Sequence, residues 1–227
     1  MRLAMFLDQV FWSEAGVVSS DESYVLFPAS FASVATAIDI VGRAAPAPGR
    51  APYVLNRPGV SVHTLPHYPS LWSMAQGITS APRILSAASR IIDANAHRWD
   101  CVLISGPHPV GQWFARRCIS RGLPVALVVR QNLAEQIGTR RGWKRNAAVA
   151  AAHLLERDFL RLARGRAVFT VGHEMARRYA RVSRNVHPHF ASLVDDAQFE
   201  RLAALTGKGD PHRLLYVGRL EAERGHE

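Results

Sequence analysis

The chain has 227 residues, 48% of them hydrophobic and 20% charged, a globular composition that argues against disorder and suffices for one generous core. Its formal charge is +10, nearly all from arginine, because Lys144 and Lys208 are the only lysines. Three causes account for such a balance: a nucleic-acid surface, an anionic membrane or phosphorylated ligand, or an arginine-rich composition without functional meaning, and the arginines are scattered rather than massed in one tract.

Cys101 and Cys118 are too few for a disulfide framework and read as buried thiols of a reducing compartment. The apolar start MRLAMFLD stops at Asp8, short of a signal-peptide core, and no run of ~18 apolar residues could span a bilayer, so a cytoplasmic location is expected.

Short β-rich runs alternate with longer helical stretches, the rhythm of a parallel α/β sheet with helices on both faces. Leu3 to Leu7 reads as the first strand, leading into a turn with Gly16. A helix is predicted from SSDES, where Ser19 and Glu22 have capping-box spacing, with Tyr24, Phe27, Phe31 and Val34 on one face and Pro28 kinking or splitting it. Strands follow at Ala37 to Val41 and Val60 to Leu65, separated by a loop from Ala44 to Pro58.

Helices are predicted at Leu71 to Ala75 and Ile84 to Ala96, then strands at Cys101 to Ile104 and Val125 to Val129 flanking a crossover helix through Val110, Trp113, Phe114 and Arg117. From Asn146 to Leu162 a helix is predicted to bury Ala147, Ala150, Ala151, Leu154, Leu155, Phe159 and Leu162, with basic flanks that could alternatively face an anionic membrane or lipid-linked acceptor. A strand at Ala167 to Val171, a helix at Glu174 to Tyr179, an edge strand at Val186 to Pro188 and a polar helix near Asp195 to Leu205 complete a domain of residues 1–206. Residues 207–227 then read as a linker, TGKGDPH, and a fresh strand at Leu214 to Val217 opening a second, truncated domain.

Ligands of open parallel sheets bind beyond the carboxyl ends of strands, so the loops holding Gly16, SGPHP with His108, and Arg130-Gln131-Asn132 are the candidate site. His108, between two prolines, could bond a ligand hydroxyl or phosphate, or satisfy a loop carbonyl. Arg130 ends the apolar strand VALVVR and must meet either a structural carboxylate or an anionic ligand. Gly218, Arg219 and Arg224 in GRLEAERG could aim guanidiniums and free amides at a phosphate. Arg43 reads as a solvated or salt-bridged surface residue. No CxxC, HExxH, Gly-x-Ser-x-Gly or Walker lysine loop is present, so no metal site or hydrolase chemistry is expected. Nucleic-acid binding would rest on charge alone, since neither stacking platform nor recognition helix is evident.

The segment LLYVGRLEAERG resembles the opening of the second domain in retaining glycosyltransferases of family 4, and DESYVLF, LPHYPSL, DCVLISGPHPVGQWFA, LPVALVVRQN and FTVGHEMARRY are similar to their amino-terminal domain. The resemblance implies a Rossmann-like doubly wound parallel sheet, the amino-terminal half of a two-domain GT-B fold. It also implies hexosyl transfer with retention from a nucleotide-diphosphate sugar to a saccharide or lipid-linked acceptor, without a metal. Gly16, Gly218, Arg219 and Arg224 would hold the donor diphosphate, Arg224 standing where the family has lysine. His108 and Arg130 would lie at the reacting sugar, Arg130 where the family often has histidine. The family's paired donor-gripping glutamates have no counterpart here, so the chain alone is expected to be inactive. A non-catalytic module binding an anionic ligand is the alternative reading.

Overall fold

The computed structural model describes residues 1–69, 80–130, 132–138 and 145–189. The expected elements at 71–75, 195–205 and 214–217, the boundary at 206/207 and Gln131 lie outside the described residues.

The strands are β1 (Arg2–Glu14), β2 (Val17–Ser20), β3 (Ala37–Ala44), β4 (Tyr53–Val54), β5 (Val60–Leu65), β6 (Cys101–Gly106), β7 (Val125–Val129), β8 (Val168–Val171) and β9 (Val186–His189). The helices are α1 (Leu26–Ser30), α2 (Ser80–Asn95), α3 (Pro109–Ile119), α4 (Leu133–Gly138), α5 (Arg145–Ala163) and α6 (His173–Tyr179).

The main sheet runs β5-β3-β1-β6-β7-β8-β9 and every neighbouring pair in it is parallel. The chain builds outward from β1 to β3 and β5, returns through α2, and builds in the opposite direction from β6. This is the Rossmann-like doubly wound order, and its direction reverses between β1 and β6. β1 shows why the strands read as continuous apolar runs: Leu3 to Leu7 are all buried, alternate side chains serving opposite faces of one sheet.

Phe6, Ile104, Leu127 and Val129 face one side, where Phe114, Phe159 and Tyr179 of the helices cover them. Leu3, Met5, Ile38, Ile40 and Val128 face the other, where Tyr24, Val25 and Ala29 lie. Cys101 and Cys118 are both free thiols, and burial pushes Cys118 up to about 12.

Three local expectations fail for tertiary reasons. β1 does not end at Leu7; it continues to Glu14 and turns back as a hairpin with β2, which β4 extends. Ser19 therefore belongs to β2, its Oγ accepting from the Ala51 N–H at 2.9 Å, and no side chain caps the helical stretch after it. That stretch is three short pieces, 3-10 turns at Ser23–Val25 and Phe31–Ser33 around α1, with Pro28 in the first turn of α1, where its missing N–H costs nothing. Val34 is 73% exposed rather than on the buried face.

α5 is rotated from its expected stripe. Phe159 and Leu162 are buried as expected, but Leu154 is 68% exposed and Ala152 and Glu156 face inward instead. Polar docking selects this face: Asp158 accepts from Gln112 and Arg116 of α3, and Glu156 Oε2 lies 2.8 Å from the Arg178 guanidinium of α6. Burial raises the Glu156 carboxyl above its ordinary range despite the opposing charges of Arg178 and His153. No helix of the described residues is long and apolar enough to cross a membrane.

Candidate functional site

A crevice of about 220 Å³ opens where the sheet order reverses, lined by Leu7, Asp8 and Gln9 of β1, Ser105 to His108 at the end of β6 and just past it, Arg130 after β7, and Leu133 of α4. Asp8 reaches it through a bulge. Phe6 faces Val41 and Val10 faces Arg43, so four steps along β1 match two along β3 and the intervening residues leave the ladder. Such bulges re-aim side chains at strand ends. Gly42 of β3 lies against this bulge, where a Cβ would fall 2.3 Å from the Phe11 ring and 2.9 Å from the Gln9 carbonyl oxygen.

Three side chains converge on the Asp8 carboxylate. The Tyr68 hydroxyl donates to Oδ1 at 2.7 Å, the Arg43 Nε lies 2.9 Å from the same oxygen, and His108 Nε2 lies 3.2 Å from Oδ2. The last two are close contacts off the hydrogen-bond line. Arg43 is itself clamped, donating through a terminal nitrogen to the Tyr68 carbonyl at 2.7 Å, with its guanidinium carbon 4.7 Å from the Tyr68 ring centroid.

Burial alone would favour the neutral acid. The His108 contact, Arg43 and the Tyr68 hydroxyl outweigh it and hold the Asp8 carboxyl below the usual range. Conversely, burial and the neighbouring Asp8 charge drive the Tyr68 hydroxyl pKa upward, so it stays a donor.

His108 is explained by position. It is the N-cap of α3, in extended backbone at φ −152°, with Pro109 next and its Nδ1 accepting from the Gly111 N–H at 3.4 Å. That assigns the ring proton to Nε2, which faces Asp8. The ring packs against Phe6 at 5.7 Å and Tyr68 at 6.3 Å between centroids. It does not answer a loop carbonyl, since Nδ1 caps α3 and Nε2 lies beside Asp8.

Arg130 stands across the crevice with its guanidinium carbon 3.5 Å from the Tyr24 ring centroid. Burial lowers its pKa, while Tyr24 and Glu22 favour its charge.

Gly16 does not belong to this site. With Ala15 at φ 49° and Gly16 at φ 75°, it forms the tight turn of the β1–β2 hairpin and its carbonyl accepts from Asn56 Nδ2 at 2.9 Å. Six further residues of β1, about 20 Å of strand at ~3.3 Å per residue, separate Asp8 from the strand's end at Glu14. The expectation assumed that β1 ended at Leu7, and the residue at that parallel strand end is Asp8. Gly218, Arg219 and Arg224 lie outside the described residues.

Sequence reasoning missed Asp8 and Tyr68 and read Arg43 as a solvated or salt-bridged surface residue; it is ion-paired, with Asp8, but its side chain is only 14% exposed. A usable signal existed for Asp8: a charge ending the apolar run LAMFL is the same feature that singled out Arg130 after VALVV.

Asp8 carries a pH prediction. Because its folded pKa is depressed, its contribution to stability is complete above the ordinary carboxyl range, about pH 4, and is lost as pH falls through the folded value. Asp8→Asn should therefore be less stable than the parent at neutral pH and lose less on acidification. Urea unfolding at several pH values from roughly 3 to 7 checks this, and parallel curves would contradict it.

No known family pattern matches this chain, and no curated protein is significantly similar to it in sequence. Among solved structures it is similar to the apo form of UGT2 from Phytolacca americana, with 11% identity and a TM-score of 0.49, over 91% of this chain and 55% of that one. It is also similar to the same plant's UGT2 complexed with UDP-2fluoro-glucose and pterostilbene, with 11% identity and a TM-score of 0.47, over 90% and 57% of the two chains. The chain thus spans a little over half the length of either, and nothing about its chemistry follows from likeness at this level.

Proposed function

We propose that the chain is the acceptor-side domain of a glycosyltransferase that moves a hexosyl group from a nucleotide-diphosphate sugar to an acceptor hydroxyl with retention. The observation that carries this reading is the Asp8 carboxylate, fixed by Arg43, Tyr68 and His108 at the crevice where the sheet order reverses. A carboxylate held by several partners is a directional acceptor for sugar hydroxyls, and its fixed geometry is what substrate positioning requires. The resemblance of LLYVGRLEAERG to the donor-binding opening of family 4 supplies the other half of the reading.

The same geometry supports retention. Asp8, held below the usual carboxyl range, is a weak base, and His108 uses Nδ1 to accept from the Gly111 N–H while its Nε2 faces Asp8. The acceptor proton then goes to the departing diphosphate oxygen as the donor's anomeric carbon–oxygen bond breaks and the acceptor oxygen bonds that carbon on the same face. Arg219 and Arg224, with the Gly218 amide, would neutralise the leaving diphosphate, so this reading requires no metal. His108 positions Asp8, and Arg130 lines the acceptor side. Free thiols suit a cytoplasmic setting, and the basic flanks of α5 would suit an acceptor at an anionic membrane.

Titration of the chain with a panel of neutral and acidic hexoses, followed by ligand-observed NMR, tests the reading. At least one sugar should bind, and Asp8→Asn, shown to be folded by thermal melting, should weaken it by roughly tenfold. Binding of no sugar, or unchanged binding by Asp8→Asn, would overturn it. Incubated with nucleotide-sugars, the 227-residue chain alone is expected to show no transfer; measurable turnover would show that it holds a complete site.

A further inference from the structure

The two charged groups of the crevice differ in how they are satisfied. Asp8 is surrounded by Arg43, Tyr68 and His108. Arg130 follows a strand whose five residues are all buried, and it is itself partly buried. The Glu22 charge favours its protonated form, but among the described residues no carboxylate forms an ion pair with its guanidinium. The Tyr24 ring, 3.5 Å away and 6% exposed, is its close neighbour.

A guanidinium that has lost part of its hydration is stabilised by an anion, and one whose flat face rests on an aromatic ring is pre-oriented for the two-pronged recognition of a carboxylate or phosphate. Asp8 does not serve as that anion, because its charge is paired with Arg43, while its oxygens, which accept one hydrogen bond from Tyr68, can still accept from hydroxyls. Between the two lie about 220 Å³ lined also by Gln9 and Ser105, room for one ring-sized group with polar edges.

We propose, building on the saccharide reading above, that this crevice takes an anionic saccharide: a hexose carrying a carboxylate or a phosphate, its hydroxyls donating to Asp8 and its anionic group paired with Arg130. Asp8 then selects for hydroxyls and repels a misoriented anion, while Arg130 selects for the charge. Together they fix the direction in which the ring enters. The occupant is thereby distinguished both from a neutral sugar and from a bare anion.

The test is a titration of the full chain with glucuronate, glucose 6-phosphate, glucose and inorganic phosphate, read by isothermal calorimetry or ligand-observed NMR at low salt. One or both acidic sugars should bind roughly tenfold more tightly than glucose, the size of one charge-assisted pair. Inorganic phosphate should bind more weakly than either acidic sugar that binds. Which acidic sugar binds tighter separates a carboxylate from a phosphate ligand.

Arg130→Gln should remove the preference, bringing the acidic sugars to the affinity of glucose measured on the same variant, and Arg130→Lys should keep part of it as a point charge without the fork. The preference should also fall as salt is added, a readout on the unmodified chain that does not depend on either variant folding. Equal binding of glucose and the acidic sugars, or a preference that survives Arg130→Gln or is insensitive to salt, would overturn the proposal and leave the glycosyltransferase reading standing. Phosphate binding as tightly as glucose 6-phosphate would mark a bare anion site and also overturn it. Failure of every sugar to bind would instead bring down the saccharide reading on which the proposal rests.

Discussion

Replacing Phe6 by alanine is expected to lower the unfolding free energy by about 3–5 kcal/mol, the cost of emptying a phenylalanine-sized space in a packed core. Phe6 has no solvent exposure and lies in β1 where that strand pairs on both sides, with Val41 and with Ile104. Its ring centroid is 5.7 Å from that of Phe114 and equally far from the imidazole of His108. A Cβ built on Gly111 would come within 2.9 Å of the ring, so the phenyl group is seated directly against the first turn of α3. Backbone cannot easily collapse into the vacated space. His108 and the α3 N-terminus lose their floor, and sugar binding should fall along with stability. A shift of the urea midpoint at unchanged slope measures the first effect; a loss below about 1 kcal/mol would mean that the core re-closes around the site.

Gly42→Ala should cost at least about 1–3 kcal/mol, the range for overpacking a well-filled interior. The added methyl would meet both the Phe11 ring and the carbonyl of Gln9, in the bulge that carries Asp8 into the crevice. A ring can rotate away, whereas a main-chain carbonyl moves only if the bulge moves. Phe11→Leu in the same chain should therefore restore part of the stability, while sugar binding stays impaired because the bulge remains displaced. A double-mutant cycle on unfolding free energy measures the coupling. Full recovery of both properties would show that the ring alone was in the way.

Much of the scaffold was legible from local pattern. Val60–Leu65 and Val125–Val129 are strands with the bounds expected, and the helices around Ile84 to Ala96 and Val110 to Arg117 differ only at their ends. The β1–β2 hairpin was hidden because Ser19 and Glu22 carry the spacing of a helix start; pairing of β2 with the far end of β1 overrode it. The rotation of α5 was hidden too, since apolarity favoured the alanines and Leu154 while the partners that turn Glu156 inward, Arg178 among them, lie on other elements.

The candidate site divides along the same line. His108 and Arg130 were visible because each ends or follows an apolar strand, an anomaly contained within a few residues. Asp8, Arg43 and Tyr68 are separated by 35, 25 and 60 residues pairwise, and only the parallel pairing of β1 with β3 and of β3 with β5, together with the bulge in β1, brings them to one point. By itself the sequence determined the alternating α/β elements and the strand ends where a site could form, because periodicity and burial preference act over a handful of neighbouring residues. Only the tertiary structure decided that the anchored charge of the crevice is Asp8 and that Gly16 is a hairpin turn, because pairing, register and bulge position are set by contacts between segments distant along the chain.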